Sequence, residues 1–147
     1  MTLTHLKRTS RRRRKELFAR WWLNNTPASY ARWNLPAEPS PPELTLPRTT
    51  LHRLIAERSG HGNFAEYHRR FGHDAAAGDC LCRCGSTMTQ GHVFECELNQ
   101  GALHSIGARP GHELDLVRHK GHRDFAAFLE KARPYAGPET PPSPSLT

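Results

Sequence analysis

No stretch of this sequence approaches the roughly 20 consecutive apolar residues that cross a bilayer as a helix, so no membrane segment is expected. Residues 1–10 hold Leu3 and Leu6 but no continuous apolar run, so no secretory signal is expected either. Paired carboxylates are missing as well. Asp74, Asp79, Asp115 and Asp124 stand apart from one another, which argues against the clustered acids of two-metal polymerase or nuclease chemistry. Apolar residues are scarce, with a mean hydropathy of −0.72. Twelve prolines interrupt the chain, most densely over residues 36–47 and 138–144. A continuous core large enough to fold all 147 residues is therefore not expected; small core-poor segments need a metal or disulfides to fold.

Acidic residues are almost absent from the first 25 positions. Glu16 stands alone there against Lys7, Arg8, Arg11, Arg12, Arg13, Arg14, Lys15 and Arg20. The remaining 122 residues carry thirteen cations and thirteen anions, so the whole net charge of +7 sits at the N-terminus. A dense local patch of this kind attracts phosphate backbones with a steep salt dependence. Arg11, Arg12, Arg13, Arg14 and Lys15 are its centre.

Periodicity divides the chain into five parts. Residues 1–25 read as a basic, Trp-rich helical segment, its helix capped at Ser10 and running to about Asn24, with Leu17, Phe18, Trp21 and Trp22 as an apolar stripe. In that reading the arginines fall in the first turns, opposing the helix dipole. Residues 26–48 read as a Pro-rich, extended linker. Residues 49–98 hold a helical hairpin and the cysteine cluster. Its first helix opens at Thr49 or Thr50 and buries Leu51, Leu54 and Ile55. Its second, residues 64–71, is capped by Asn63 and carries Phe64, Tyr67 and Phe71. Residues 99–136 comprise an irregular loop and an amphipathic helix over 122–133, with Phe125, Phe128 and Leu129 on its apolar side. The Pro/Ser-rich residues 137–147 read as a disordered tail. The fold class is a small, mostly α module with irregular loops, stabilised by zinc.

All four cysteines, Cys80, Cys82, Cys84 and Cys96, lie in one short segment together with His92. Zinc takes four thiolate and imidazole ligands in a tetrahedron. His92 and Cys96 are spaced i, i+4, so one helical turn aims both at one ion. Either Cys82 or Cys80 can accompany Cys84 as the other pair, and Gly85 permits a sharp turn after it. With an intracellular, reducing compartment expected, nuclear or cytoplasmic, metal binding is favoured over disulfides. No catalytic residue is assigned: a catalytic zinc keeps an open position, and here a fourth ligand is at hand.

The run Leu51-His-Arg-Leu-Ile-Ala-Glu-Arg-Ser-Gly-His-Gly-Asn-Phe-Ala-Glu-Tyr-His-Arg-Arg-Phe-Gly-His73, with Cys82-Arg-Cys84-Gly85 and His92-Val-Phe-Glu-Cys96, resembles the C-terminal region of fungal non-LTR (LINE-type) retrotransposon polyproteins. In that family the region follows the reverse transcriptase and ribonuclease H domains. The resemblance implies a nucleic-acid-binding zinc element with Cys82, Cys84, His92 and Cys96 as ligands; Cys80 has no counterpart in the pattern. It implies RNA or single-stranded DNA as partner, with reverse transcriptase or ribonuclease H domains as possible protein partners. It also implies a fragment, decayed copy or co-opted remnant of a longer element, without the parent's polymerase and nuclease activities.

Overall fold

The computed structural model describes residues 1–38 and 40–136; the tail expected over 137–147 lies outside the described residues. Eight α-helices and three short 3₁₀ turns carry the described chain. Among the described residues no strand forms; one antiparallel bridge joins Leu81 to Thr87.

The first helix, α1 (Leu3–Asn25), starts well before Ser10. Thr2 caps it, its side chain accepting from the His5 amide at 3.3 Å. The arginines thus occupy the middle of the helix and not its first turn. Each like-charge i, i+4 pair costs only about 0.2–0.5 kcal/mol. Leu, Arg, Lys and Ala are strong helix formers, and their summed preference outweighs that repulsion. The helix stops where Pro27 forces Thr26 into an extended conformation (ψ 123°). No residue of α1 is buried. The expected apolar stripe is instead open to solvent, with Leu17, Phe18 and Trp21 exposed. Trp22 is half-buried and donates its indole N–H to the Leu35 carbonyl at 3.2 Å.

The Pro-rich segment is not an extended linker. It folds α2 (Ala28–Ala31) and a 3₁₀ turn over Pro42–Thr45, and Trp33 between them is buried. The reason lies in α3 (Arg48–Ser59), which begins directly after Pro47 and so ahead of Thr49. The Arg58 guanidinium, also buried, meets the Glu43 carboxylate at 2.6 Å and donates its Nε–H to the Val117 carbonyl at 2.6 Å. The Trp33 indole N–H donates to the Arg58 carbonyl at 2.6 Å. Burial alone would raise the Glu43 pKa, but the hydrogen bond and charge of Arg58 outweigh it and hold the carboxyl below its ordinary value. The same geometry corrects the expected face of α3. Leu54, Ala56, Glu57 and Arg58 are buried, Leu51 is half-buried and Ile55 is exposed.

The expected hairpin does not form as read. The helix α4 (Ala65–Arg70) packs principally on α5 (Asp74–Gly78), while α3 packs on α2, α8 (His122–Ala132) and the 3₁₀ turn Glu113–Val117. The cap of α4 is Phe64 and not Asn63; Asn63 instead pairs its Oδ1 with His68 Nε2 at 2.8 Å. Phe64 is buried, Tyr67 half-buried and Phe71 exposed. The region after Cys96, read as irregular, contains a 3₁₀ turn Glu97–Asn99 and α7 (Gln100–Ser105). The last helix meets its expectation closely, with Phe125 and Phe128 fully buried.

One apolar core runs from Trp33 through Leu54, Phe64, Val93, Phe94 and Val117 to Phe125 and Phe128. That core is continuous but does not take in the whole chain, since α1 stays outside it. Phe94 lies 5.7 Å from Phe128 and 6.3 Å from Phe125, ring to ring. Phe94 belongs to α6 (His92–Glu95), the short turn that carries two of the expected metal ligands at its ends.

Candidate metal centre

Two local structures bring the ligands together. In the first, the chain doubles back over residues 80–88. The Met88 amide donates to the Cys80 carbonyl at 2.7 Å, Cys82 to Ser86 at 2.8 Å and Gly85 to Cys82 at 2.9 Å. Gly85 sits at φ +86°, a conformation that a side chain opposes and glycine adopts freely. That turn presents Cys82 and Cys84 side by side. In the second, Gly91 at φ +84° leads into the single turn α6. The Cys96 amide donates to the His92 carbonyl at 2.8 Å, which closes the turn and aligns the two side chains.

The ligand atoms of Cys82, Cys84, His92 and Cys96 all lie within 4.8 Å of one another. Cys82 Sγ and Cys96 Sγ are 3.7 Å apart; Cys84 Sγ and His92 Nε2 are 3.4 Å apart. A tetrahedral ion with bonds of about 2.3 Å to sulfur and about 2.0 Å to nitrogen has edges of about 3.8 Å and about 3.5 Å. Both observed edges match. The four residues can therefore hold a metal ion, and the donor set of three thiols and one imidazole suits a soft or borderline divalent metal. All four cysteines are free thiols.

Cys80 stays out of the cluster. Its thiol donates to the Asn63 carbonyl at 2.8 Å, and burial, with a smaller contribution from the Glu66 charge, raises its pKa. The choice between Cys80 and Cys82 thus falls to Cys82. Within the cluster the thiols differ. Hydrogen bonds with Ser86, and further ones with His92 and Cys82, lower the Cys84 pKa to about 6, whereas burial pushes Cys96 up to about 11.

The surroundings of the ligands were not legible in the sequence. Val93 and Phe94, between His92 and Cys96, are buried, so the same turn points ligands one way and core residues the other. The buried Asn99 donates its amide to the Val93 carbonyl at 2.9 Å. Gln100 Nε2 donates to the Phe94 and Cys96 carbonyls at 3.0 and 3.2 Å. Arg83, between two ligands, donates to the Ala132 carbonyl at 2.7 Å, satisfying the open C-terminal end of α8. Glu57 accepts the Gly91 amide at 2.8 Å and the Tyr135 hydroxyl at 2.7 Å. Burial raises the Glu57 pKa despite these bonds. Only the position of Asn99 and Gln100, polar residues just past a ligand turn, offered a hint that they cap carbonyls.

The expected phosphate-binding residues are in a separate element. Arg11, Arg12, Arg13, Arg14 and Lys15 are all exposed on α1, and among the described residues Arg12 alone of the five has an acidic partner, Glu16 at 3.7 Å. No helix among the described residues is long and apolar enough to cross a membrane. Comparison with family models, curated proteins and solved structures gives no match.

Proposed function

We propose that this chain is a non-catalytic, zinc-braced module that binds nucleic acid through its basic N-terminal helix. The observation that carries the reading is α1: it holds eight cations against one anion on a helix with no buried residue. Such a helix is free to lie along a phosphate backbone. The four-residue cluster supports zinc as the bound metal, since three cysteines and a histidine close a tetrahedron and leave no open position for substrate. That is why the reading is non-catalytic. The sequence run through residues 51–73, with Cys82-Arg-Cys84-Gly85 and His92-Val-Phe-Glu-Cys96, supports descent from the C-terminal region of a fungal non-LTR retrotransposon polyprotein.

The test is a salt titration of a single-stranded oligonucleotide against the full chain. Each phosphate contact contributes about −0.7 to the slope of log affinity against log salt. Replacing Arg11, Arg12, Arg13, Arg14 and Lys15 with Gln is expected to flatten that slope by up to about 3.5. Undetectable binding by the wild type at low salt, or a slope unmoved by the replacements, rejects the reading. The exposure of Leu17, Phe18 and Trp21 favours a second reading, docking on a reverse transcriptase or ribonuclease H domain. Binding of such a domain, abolished by Leu17→Ala with Trp21→Ala but indifferent to salt, would select it.

A further inference from the structure

On an α-helix, residues spaced 4, 3, 4 and 3 apart fall along one face. In α1 that spacing links Lys7, Arg11, Arg14, Phe18 and Trp21. One side of the helix is thus cationic in its first half and aromatic in its second. The side chains agree with this register. A shallow cleft is lined by Leu6, Lys7, Ser10, Arg11 and Arg14; the next is lined by Arg11, Arg14, Lys15 and Phe18. The two share Arg11 and Arg14, and the second reaches Phe18.

Beyond the groove, the rings make a platform. Phe18 stacks on Trp21 with centroids 6.0 Å apart and planes 26° from parallel, and on Trp22 at 6.2 Å and the same angle. Trp22 is anchored by its bond to Leu35, while Trp21 is 54% exposed. The platform therefore has one fixed ring and one open face. Nothing in the core uses that face, since α1 buries no residue.

From this continuity of cations and rings we infer that α1 reads the single-stranded state: Lys7, Arg11 and Arg14 hold consecutive phosphates while unpaired bases stack on Phe18 and Trp21. The inference rests on the nucleic-acid reading above and adds the residues by which an unpaired strand is told from a duplex. A duplex keeps its bases paired and stacked, so it satisfies the cations and leaves the rings idle. An unpaired strand satisfies both. The stripe from Lys7 to Trp21 is about 21 Å long at 1.5 Å per residue, enough to span several nucleotides of a strand. A lipid surface fits less well. Residues 11–15 place cations all round the helix, so that half has no apolar side to insert.

The experiment compares the full wild-type chain, F18A/W21A and R11Q/R14Q. Each is titrated with a 12-nucleotide oligouridine, a 12-nucleotide oligothymidine and a 12-base-pair duplex. These positions lie outside the core, so the fold should tolerate both changes, which circular dichroism checks. F18A/W21A is expected to weaken both single strands about tenfold to a hundredfold per ring, with the salt slope and duplex affinity unchanged. W21L should be as weak as W21A, because an aliphatic side chain offers no stacking face. R11Q/R14Q should weaken strand and duplex alike and flatten the single-strand slope by about 1.4. If the aromatic variant matches the wild type while R11Q/R14Q fails to bind, the inference falls and the broader reading stands. If neither variant differs from the wild type, both fall. Equal losses on strand and duplex in F18A/W21A also overturn the inference.

Discussion

Removing the metal is expected to unfold more than the loop that holds it. The perturbation is a chelator, or the single change Cys96→Ser. Structural zinc sites of this kind supply about 10–16 kcal/mol of apparent binding energy at neutral pH, while a small domain's whole net stability is about 5–15 kcal/mol. A zinc ion held by these four residues would therefore match or exceed that margin. Its loss is transmitted because His92 and Cys96 flank Val93 and Phe94, both buried. If the turn opens, Phe94 leaves Phe125 and Phe128, a truncation-sized loss of about 3–5 kcal/mol in its own right. Arg83 lets go of the α8 terminus and Gly91 of Glu57, which loosens α8 and α3. Even a loss of 5 kcal/mol lowers the melting temperature by roughly 15–20 °C in a chain of this size. The assay is thermal melting by circular dichroism, with the near-ultraviolet signal of buried Trp33 as a second probe and elemental analysis for metal content. Metal should be present at about one ion per chain, and both probes should lose their cooperative transition on chelation. A chain that melts identically with chelator, or a Cys96→Ser variant with unchanged melting and metal content, refutes the reasoning.

Metal capture should weaken with acid. Binding at pH 7 must strip a proton from Cys96, held up to about 11, whereas Cys84, at about 6, is already ionised; affinity should fall at least tenfold per unit below pH 7 and more steeply below about 6, as competition titrations with a chelator of known affinity would show. A flat profile between pH 7 and 6 speaks against thiolate ligation. Glu43→Ala should cost about 3–5 kcal/mol by leaving the Arg58 charge buried and unpaired, while Glu43→Leu with Arg58→Met should recover most of it. Denaturant melts of Glu43→Leu, Arg58→Met and the double variant give the coupling directly, and a Glu43→Ala loss under 1 kcal/mol would contradict the buried pairing.

The parts of the molecule that the sequence made readable are those governed by short-range rules. The i, i+4 spacing of His92 and Cys96 and the turn-forming Gly85 foreshadow the cluster, and the amphipathic spacing of Phe125 and Phe128 foreshadows α8. The misread parts depend on partners distant in the chain. Glu43 amid prolines looks like a solvated linker residue until Arg58, fifteen positions later, is seen to cover it. Ile55 and Arg58 have exchanged the places that hydropathy assigns them because the Val117 carbonyl and the Glu43 carboxylate supply polar partners to the buried guanidinium. Residues 97–105 lack a period because their two helical pieces are each too short to show one. In α1 the period was visible, but an apolar stripe does not say whether anything covers it.

Because α1 lends no side chain to the interior, what it touches and how the rest folds are separable properties. Substitutions along its surface can drift without endangering the body behind it. Among the described residues the one hydrogen bond its side chains make to the rest is from the Trp22 indole to the Leu35 carbonyl, so a change of length or composition elsewhere along the helix is expected to leave the melting of the body unmoved.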